Sequence, residues 1–195
     1  MAFEYAIALS GGIATGKSSA TTILMLYGFR FIDADKIAHK LLDLRYRDIA
    51  DMFGDKYIID DRVNRRELGK LIFGDISKRR ELEAFLHPLI YKEIEKEAIK
   101  QDKFKKPYII DIPLFFEKNR YPIKHSIVVY ASREQQIDRL ISRDGFSRDE
   151  AIERIDAQMD IEEKRAKASF VIDNSKNLKN LQDECERVKG LILEI

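Results

Sequence analysis

Cysteine is almost missing from this chain: Cys185 stands alone among 195 residues. No internal disulfide can form, and the usage suits a reducing compartment. Three separated histidines (His39, His87 and His125) and one cysteine supply no zinc-type cluster. Neither sign of charge is in excess, since 35 Lys and Arg offset 34 Asp and Glu for a formal net charge of +1. The broad basic field of a general nucleic-acid binder is therefore absent. No apolar run approaches the ~18 residues of a membrane span. The N-terminal Met1-Ala2-Phe3-Glu4-Tyr5 has no basic stretch leading into a long apolar one. These absences give the expectation of a soluble, cytoplasmic protein. No tract rich in Gly, Ser and Pro marks a linker, no internal repeat occurs, and the guanine-specific Asn-Lys-x-Asp motif is nowhere in the chain.

What remains is a composition 45% hydrophobic and 35% charged, enough for one core domain with excursions. Short apolar runs at Tyr5–Leu9, Phe29–Ile32, Tyr108–Ile112, Ser126–Tyr130 and Ala168–Ile172 alternate with helical patterns. Near-continuous apolar strands of this kind predict a parallel sheet covered on both faces. A helix is expected from about Gly16 to Tyr27, ended by Gly28. The interval Asp33 to Pro107 is almost wholly helical in pattern. Asn64 with Glu67 has capping-box spacing, and Pro88 is expected to kink or break the helix around it. A second excursion carries two capping boxes, Ser132 with Gln135 and Ser147 with Glu150, around a helix break at Gly145. Two arginine-rich helices joined by a short turn would suit a mobile lid.

Gly11-Gly12-Ile13-Ala14-Thr15-Gly16-Lys17-Ser18 fits G-x-x-x-x-G-K-[ST], between a strand and a helix. Glycines let backbone N–H groups approach phosphate oxygens, and the helix N-terminus adds its free donors and dipole. Lys17 can reach β- and γ-phosphates, and the Ser18 hydroxyl can ligate Mg²⁺. The motif points to ATP.

Asp33-Ala34-Asp35 follows the second strand, where the carboxyl ends of strands face the ligand crevice. The two carboxylates, Asp33 and Asp35, can serve as general base for an acceptor hydroxyl and as a water-mediated Mg²⁺ partner, or Asp35 caps the helix starting near Lys36. Asp111 ends an apolar strand, as a Mg²⁺-linked carboxylate or a strand-end cap. Arg139 and Arg143, four apart, share a helix face; they face phosphoryl oxygens or pair with Asp138, Asp144 or Glu134. His87 either lines an acceptor cleft or packs at the helix break. Lys103, Lys105 and Lys106 read as a solvated loop, Cys185 as part of a polar last helix, and Phe73, Phe85 and Phe115 as packing residues.

Several of these segments together resemble the dephospho-coenzyme A kinase family: Gly11 to Ser18, Ile32-Asp33-Ala34-Asp35, Leu86-His87-Pro88-Leu89-Ile90, Asp111 to Glu117, and Val171-Ile172-Asp173-Asn174. A lid pattern of Gln136, Arg139, Arg143-Asp144, Arg154, Gln158 and Lys164 matches as well, so the resemblance spans essentially the whole chain. It implies transfer of the ATP γ-phosphoryl to the ribose 3′-hydroxyl of dephospho-CoA, with Mg²⁺, in the last step of coenzyme A synthesis. It implies Asp33 as base, Arg139 as a lid arginine for phosphoryl transfer, and Asn174 in the adenine pocket. Acceptor contacts are expected at Asp33, Asp35, Arg66, His87, Leu114 and Glu117. Departures are Ala14-Thr15 in place of Gly-Ser, Gly69-Lys70 in place of an arginine, and Ser169 in place of an aspartate.

The expected fold is α/β: a P-loop NTPase three-layer fold with a parallel sheet of about five strands, a helical substrate-binding insertion and a helical lid. The core would comprise 1–35, 107–131 and 168–195, the acceptor-binding insertion 36–106, and the lid 132–167. Two rivals stand beside it, another small-molecule or nucleoside monophosphate kinase and a nucleotide-binding regulatory protein without catalysis. No nucleic acid or membrane partner is expected.

Overall fold

The computed structural model describes residues 2–118 and 120–195. The chain forms two compact units, one of Met1–Ile32 with Ala98–Ile195 and the other of Asp33–Glu97.

The first unit is built on a sheet of five strands: β1 (Ala6–Gly11), β2 (Phe31–Asp33), β5 (Tyr108–Asp111), β6 (His125–Tyr130) and β7 (Phe170–Asp173), in the order β2-β5-β1-β6-β7. β1 runs parallel to β5 and β6, with Leu9 opposite Asp111 and Gly11 opposite Val129, and β6 runs parallel to β7. All six residues of β1 are buried, as a central strand covered on both faces requires. Alternation then sorts its side chains. Ile7 and Leu9 join Ile109, Ile127, Val129 and Ile172 on one face, against Leu24 of α1 (Lys17–Leu26) and Leu181, Cys185 and Val188 of α10 (Leu178–Leu193). Val128 and Tyr130 join another cluster with Ile161 of α9 (Ile161–Lys167) and Phe116 of α6 (Phe115–Lys118). The predicted strands are all present, with ends moved by at most two residues. With both faces of the sheet covered, the carboxyl end of β1 continues directly into the glycine-rich loop.

Gly28, at φ 88°, stops α1 as expected. The excursion between β6 and β7 has three helices, not two: α7 (Arg133–Asp144), α8 (Arg148–Asp156) and the short α9. Both capping boxes form, at Ser132 with Gln135 and at Ser147 with Glu150, and Gly145 takes the left-handed conformation between them. Asp160 caps α9 through the Glu162 amide, a start signal that sequence reading passed over.

The second unit holds α2 (Ala34–Leu44), α3 (Tyr46–Phe53), α4 (Arg65–Gly74) and most of α5 (Ile76–Asp102) around Leu42, Ile49, Tyr57, Leu68, Leu82 and Leu86. It is not wholly helical. A small hairpin pairs β3 (Ile58–Ile59) with β4 (Arg62–Val63). Its turn is Asp60-Asp61, both at positive φ (49° and 57°), the geometry that a mirror-image two-residue turn demands. Asp-Gly or Asn-Gly would have announced it; Asp-Asp does not.

Three other expectations, at Pro88, Asn64 and Phe73, are modified by the structure. Pro88 lies inside α5 without ending it. Proline costs a helix interior about 3 kcal/mol, and buried Leu82 and Leu86 before it and Ile94 and Ala98 after it outweigh that. Asn64 accepts from the Glu67 amide, but the Glu67 side chain goes to Lys70 at 2.7 Å, so only half a capping box forms. Phe73, expected in the core, is 86% exposed, whereas Phe115 is buried.

Cys185 lies on the buried face of α10, not on a polar surface, and burial pushes its thiol up to about 12, assisted by the charge of Glu184. A thiol-specific reagent such as DTNB should therefore leave the native protein unmodified at pH 8 and titrate one thiol in denaturant. Leu24→Ala, at a fully buried position, should cost about 3 kcal/mol in urea unfolding.

Candidate active site

Residues Gly12 to Gly16 link the end of β1 to the start of α1, and glycine dictates their conformation. Gly16 adopts φ 90° as the N-cap of α1 and offers no side chain to the first amides of the helix. Those amides are left to an incoming anion. A Cβ on Gly16 would lie 2.0 Å from Asn174 Nδ2, so space as well as φ requires glycine. Ala14 is a non-glycine residue at φ 59°, in the same left-handed region. A side chain in that region carries backbone strain that glycine would not.

Each turn of the loop is tied down. Thr15 Oγ1 donates to the Gly12 carbonyl at 2.9 Å, filling the space next to Gly11. Gln158 Oε1 accepts from Ile13 N–H at 2.9 Å. Asn174, just beyond β7, donates from Nδ2 to the Thr15 carbonyl at 2.8 Å. Arg139 of α7 donates to the Ala14 carbonyl at 3.2 Å and to the Asn174 carbonyl at 2.7 Å. Ile13 and Ala14 pack against the α7–α8 cluster around Ile137, Leu140 and Ile155.

Lys17 opens α1, and its ammonium binds both oxygens of Asp111 at 2.5 and 2.6 Å, with side-chain exposures of 20% and 14%. Asp111 gets there because it closes β5, directly beside Leu9 of β1. Ser18 is exposed in the first turn of α1. No cluster of three or more His, Cys, Asp or Glu that could hold a metal occurs among the described residues. A hydroxyl and a carboxylate are hard oxygen donors that suit Mg²⁺, which keeps waters and shares phosphate oxygens rather than filling an all-protein cage. The donor set fits that ion.

A cavity of about 490 Å³ opens beside the loop, lined by Ala14, Gly16, Ser19, Arg139, Arg143 and Asn174. Arg143 sits at its rim, largely exposed and paired with Asp144 at 2.7 Å. Their hydrogen bond raises the Arg143 pKa, and the guanidinium in turn lowers that of Asp144. Two sequence expectations change in character. Arg139 is bound to two backbone carbonyls, and the Asn174 amide supports the loop instead of lying open for a base. Glu117, expected on the acceptor, accepts from Lys164 at 2.6 Å and from Met159 N–H at 3.2 Å. Leu114 is 40% exposed in the turn after β5.

The remaining candidates belong to the second unit. Asp33 caps α2, accepting from Lys36 N–H at 2.8 Å and pairing with its ammonium at 3.1 Å. Asp35, for which capping was one of two readings, lies in the first turn of that helix. Arg66 is exposed on α4, and His87 is half-buried in α5. The first unit thus gathers the loop, Asp111, Arg139 and Asn174. Gln158 and Lys164, to which sequence reading gave no task, contact that loop too. Their only signal was membership of the lid pattern.

The family model described as dephospho-CoA kinase matches residues 5–180. A dephospho-CoA kinase of Sulfurimonas denitrificans is 54% identical over 100% of this chain and 99% of its own length. One from Helicobacter pylori is 46% identical over 99% and 100%. Among solved structures, the dephospho-CoA kinase from Campylobacter jejuni superposes with a TM-score of 0.73 at 33% identity, covering 98% of each chain. A Thermus thermophilus protein gives 0.80 at 29%, covering 95% of this chain and 96% of that one.

Gly16→Ala should weaken nucleotide binding while sparing the core. The left-handed conformation costs a side chain about 1–2 kcal/mol, and Asn174 must also leave the Thr15 carbonyl. A fluorescent ATP analogue should bind at least ~10-fold more weakly, the equivalent of about 1.4 kcal/mol, with the far-UV circular dichroism unchanged.

Proposed function

The chain belongs to the dephospho-CoA kinase family, and from that premise we propose how its own residues divide the work. The enzyme transfers the γ-phosphoryl group of ATP to the ribose 3′-hydroxyl of dephospho-CoA, giving CoA and ADP in the last step of coenzyme A synthesis. The observation that carries the assignment of roles is the Lys17–Asp111 pair beside the loop. Without nucleotide, each charge serves as the other's counterion. When triphosphate enters, its β- and γ-oxygens take the ammonium and the carboxylate is freed. The loop amides and the open N-terminus of α1 hold the remaining phosphate oxygens.

Ser18 and Asp111 would hold Mg²⁺, which when bound neutralises β/γ-oxygen charge. Asp33 accepts the 3′-hydroxyl proton as the O3′–Pγ bond forms and the bond from Pγ to the bridging oxygen breaks. Its place at the end of β2 supports this, since strand ends carry the chemistry in open α/β sheets. Its capping bond from Lys36 N–H holds the carboxylate in a fixed rotamer. Arg139 stabilises the transferring group; of its five N–H donors two are on carbonyls, leaving others for phosphoryl oxygens. Arg143 and Asn174 line the nucleotide side. Asp35, Arg66, His87 and Leu114 serve acceptor binding, and the region 36–106 is the acceptor-binding part, with 132–167 as the lid. A cytoplasmic location is supported by the lone cysteine. Among the described residues no helix is long and apolar enough to cross a membrane.

ADP release coupled to ATP, Mg²⁺ and dephospho-CoA, with CoA identified by mass, tests the reading. Turnover that persists without dephospho-CoA would sink it. Asp33→Asn separates the two tasks of that residue, because asparagine caps a helix as well as aspartate does but cannot take the proton. We expect kcat to fall by at least ~100-fold with ATP affinity nearly unchanged; near-normal turnover removes Asp33 from the base role.

A further inference from the structure

Lys164 is the one lysine among the described residues whose side chain is fully buried, at 0% exposure. Its ammonium donates to the Gly11 carbonyl at 3.0 Å and pairs with Glu117 Oε1 at 2.6 Å. That same oxygen accepts from Met159 N–H, while Glu117 Oε2 is buried without a hydrogen-bond partner. Such a pair adds little to stability. Desolvating two charges offsets most of their attraction, and an unmatched carboxylate oxygen adds to the loss. Well-packed apolar side chains would hold α9 against the sheet as firmly.

The contact with the loop gives the pair another use. Gly11 and Gly12 are joined by a planar peptide whose C=O and N–H point in opposite directions. Glycine on both sides leaves that plane free to rotate. A cation on the Gly11 oxygen fixes the carbonyl toward α9, and so fixes the Gly12 N–H on the opposite side. We propose that Lys164, held by Glu117, is a positioning residue for phosphoryl transfer, locking the first peptide of the phosphate loop so that the loop presents donors rather than a carbonyl to the nucleotide. Lys164 touches no substrate; it acts through Gly11. Glu117 neutralises and aims it. The assignment rests on the kinase reading above for the reaction it serves, though not for the loop contact itself.

The test compares wild type with two charge-free variants, Lys164→Met/Glu117→Gln and Lys164→Gln/Glu117→Gln. Neither leaves a lone buried charge, and the amide oxygen introduced by Glu117→Gln keeps an acceptor for Met159 N–H. Tm, binding of a fluorescent ATP analogue, and KM for each substrate are measured on all three proteins. The variant with Lys164→Met should keep a cooperative thermal transition yet lose ~30-fold or more in kcat/KM for ATP, since a displacement of about 1 Å can cost 10²-fold. Analogue binding should weaken in parallel, with KM for dephospho-CoA within about twofold of wild type. The variant with Lys164→Gln, which retains an N–H donor near Gly11, should fall between the two.

ATP parameters unchanged in a folded Lys164→Met protein, equal losses for both substrates, or Lys164→Gln no better than Lys164→Met would each overturn the proposal. Because analogue binding needs no acceptor, wild type inactive on dephospho-CoA would remove the kinase reading while the affinity ratio still decides on Lys164. Should the Lys164→Met protein fail to fold, Lys164→Gln decides alone, with wild-type ATP affinity counting against the proposal and selective loss for it.

Discussion

A loop that turns its N–H groups toward phosphate must turn carbonyls the other way, and buried carbonyls need donors. Much of the first unit answers that requirement. The Gly11 oxygen is met by Lys164 from α9, the Gly12 oxygen by Thr15 within the loop, the Ala14 oxygen by Arg139 from α7, and the Thr15 oxygen by Asn174 beyond β7. Three of the four donors lie more than a hundred residues away in sequence. The sheet explains how they arrive. β6 and β7 are parallel neighbours on one side of β1, so the segments that leave them return to the same end. Loop, sheet order and the residues between β6 and β7 are one solution to one hydrogen-bonding problem.

Charge follows the same arrangement. Two lysines stand beside the loop, Lys17 and Lys164, and each is matched by a carboxylate from the segment 111–117 that closes and follows β5. The two pairs differ in exposure. Lys17 and Asp111 are partly open to solvent and can exchange partners when a polyanion arrives. Lys164 is sealed, and nothing that enters the cavity beside Gly16 can take it from Glu117. One ion pair is exchangeable and the other permanent, on two sides of the same stretch of backbone.

Most of the fold was legible because burial on both faces forces apolar runs such as Tyr108–Ile112 and Ser126–Tyr130, and no other element type accounts for them as well. Capping chemistry placed Ser132, Ser147 and Gly145 correctly, since those bonds are local and depend on spacing alone. What escaped depended on context. The Asp60-Asp61 turn uses residues with only modest preference for positive φ. Pro88 persists in α5 because buried neighbours on either side outweigh its local cost. The motif of the loop was plain in the sequence, whereas its supports were not. Nothing in the letters Gln158, Lys164 or Asn174 says that they will meet backbone groups of residues 11 to 15. A lysine with no exposure at all runs against the ordinary expectation for that residue, and only the fold could disclose it.

The anchoring of α7 and α9 also sets the mechanics of the segment between β6 and β7. Arg139 and Gln136 hold one end against the loop, Gln158 and Lys164 hold the other, and Ser132 with Gln135 secures the root. A swing of the whole segment as one body would tear all of these at once. Nor is α8 free to bend away at Gly145, because Arg148 and Asp156 pair with Glu134 and Arg133 of α7 and Ile155 packs with Ile137 and Leu140. The segment is therefore a beam clamped at both ends, and its middle span α8, nine residues or about 14 Å long at about 1.5 Å per residue, is strapped to α7. Flexing of that span is felt by Ile13 and Ala14 of the phosphate loop, which share its apolar cluster.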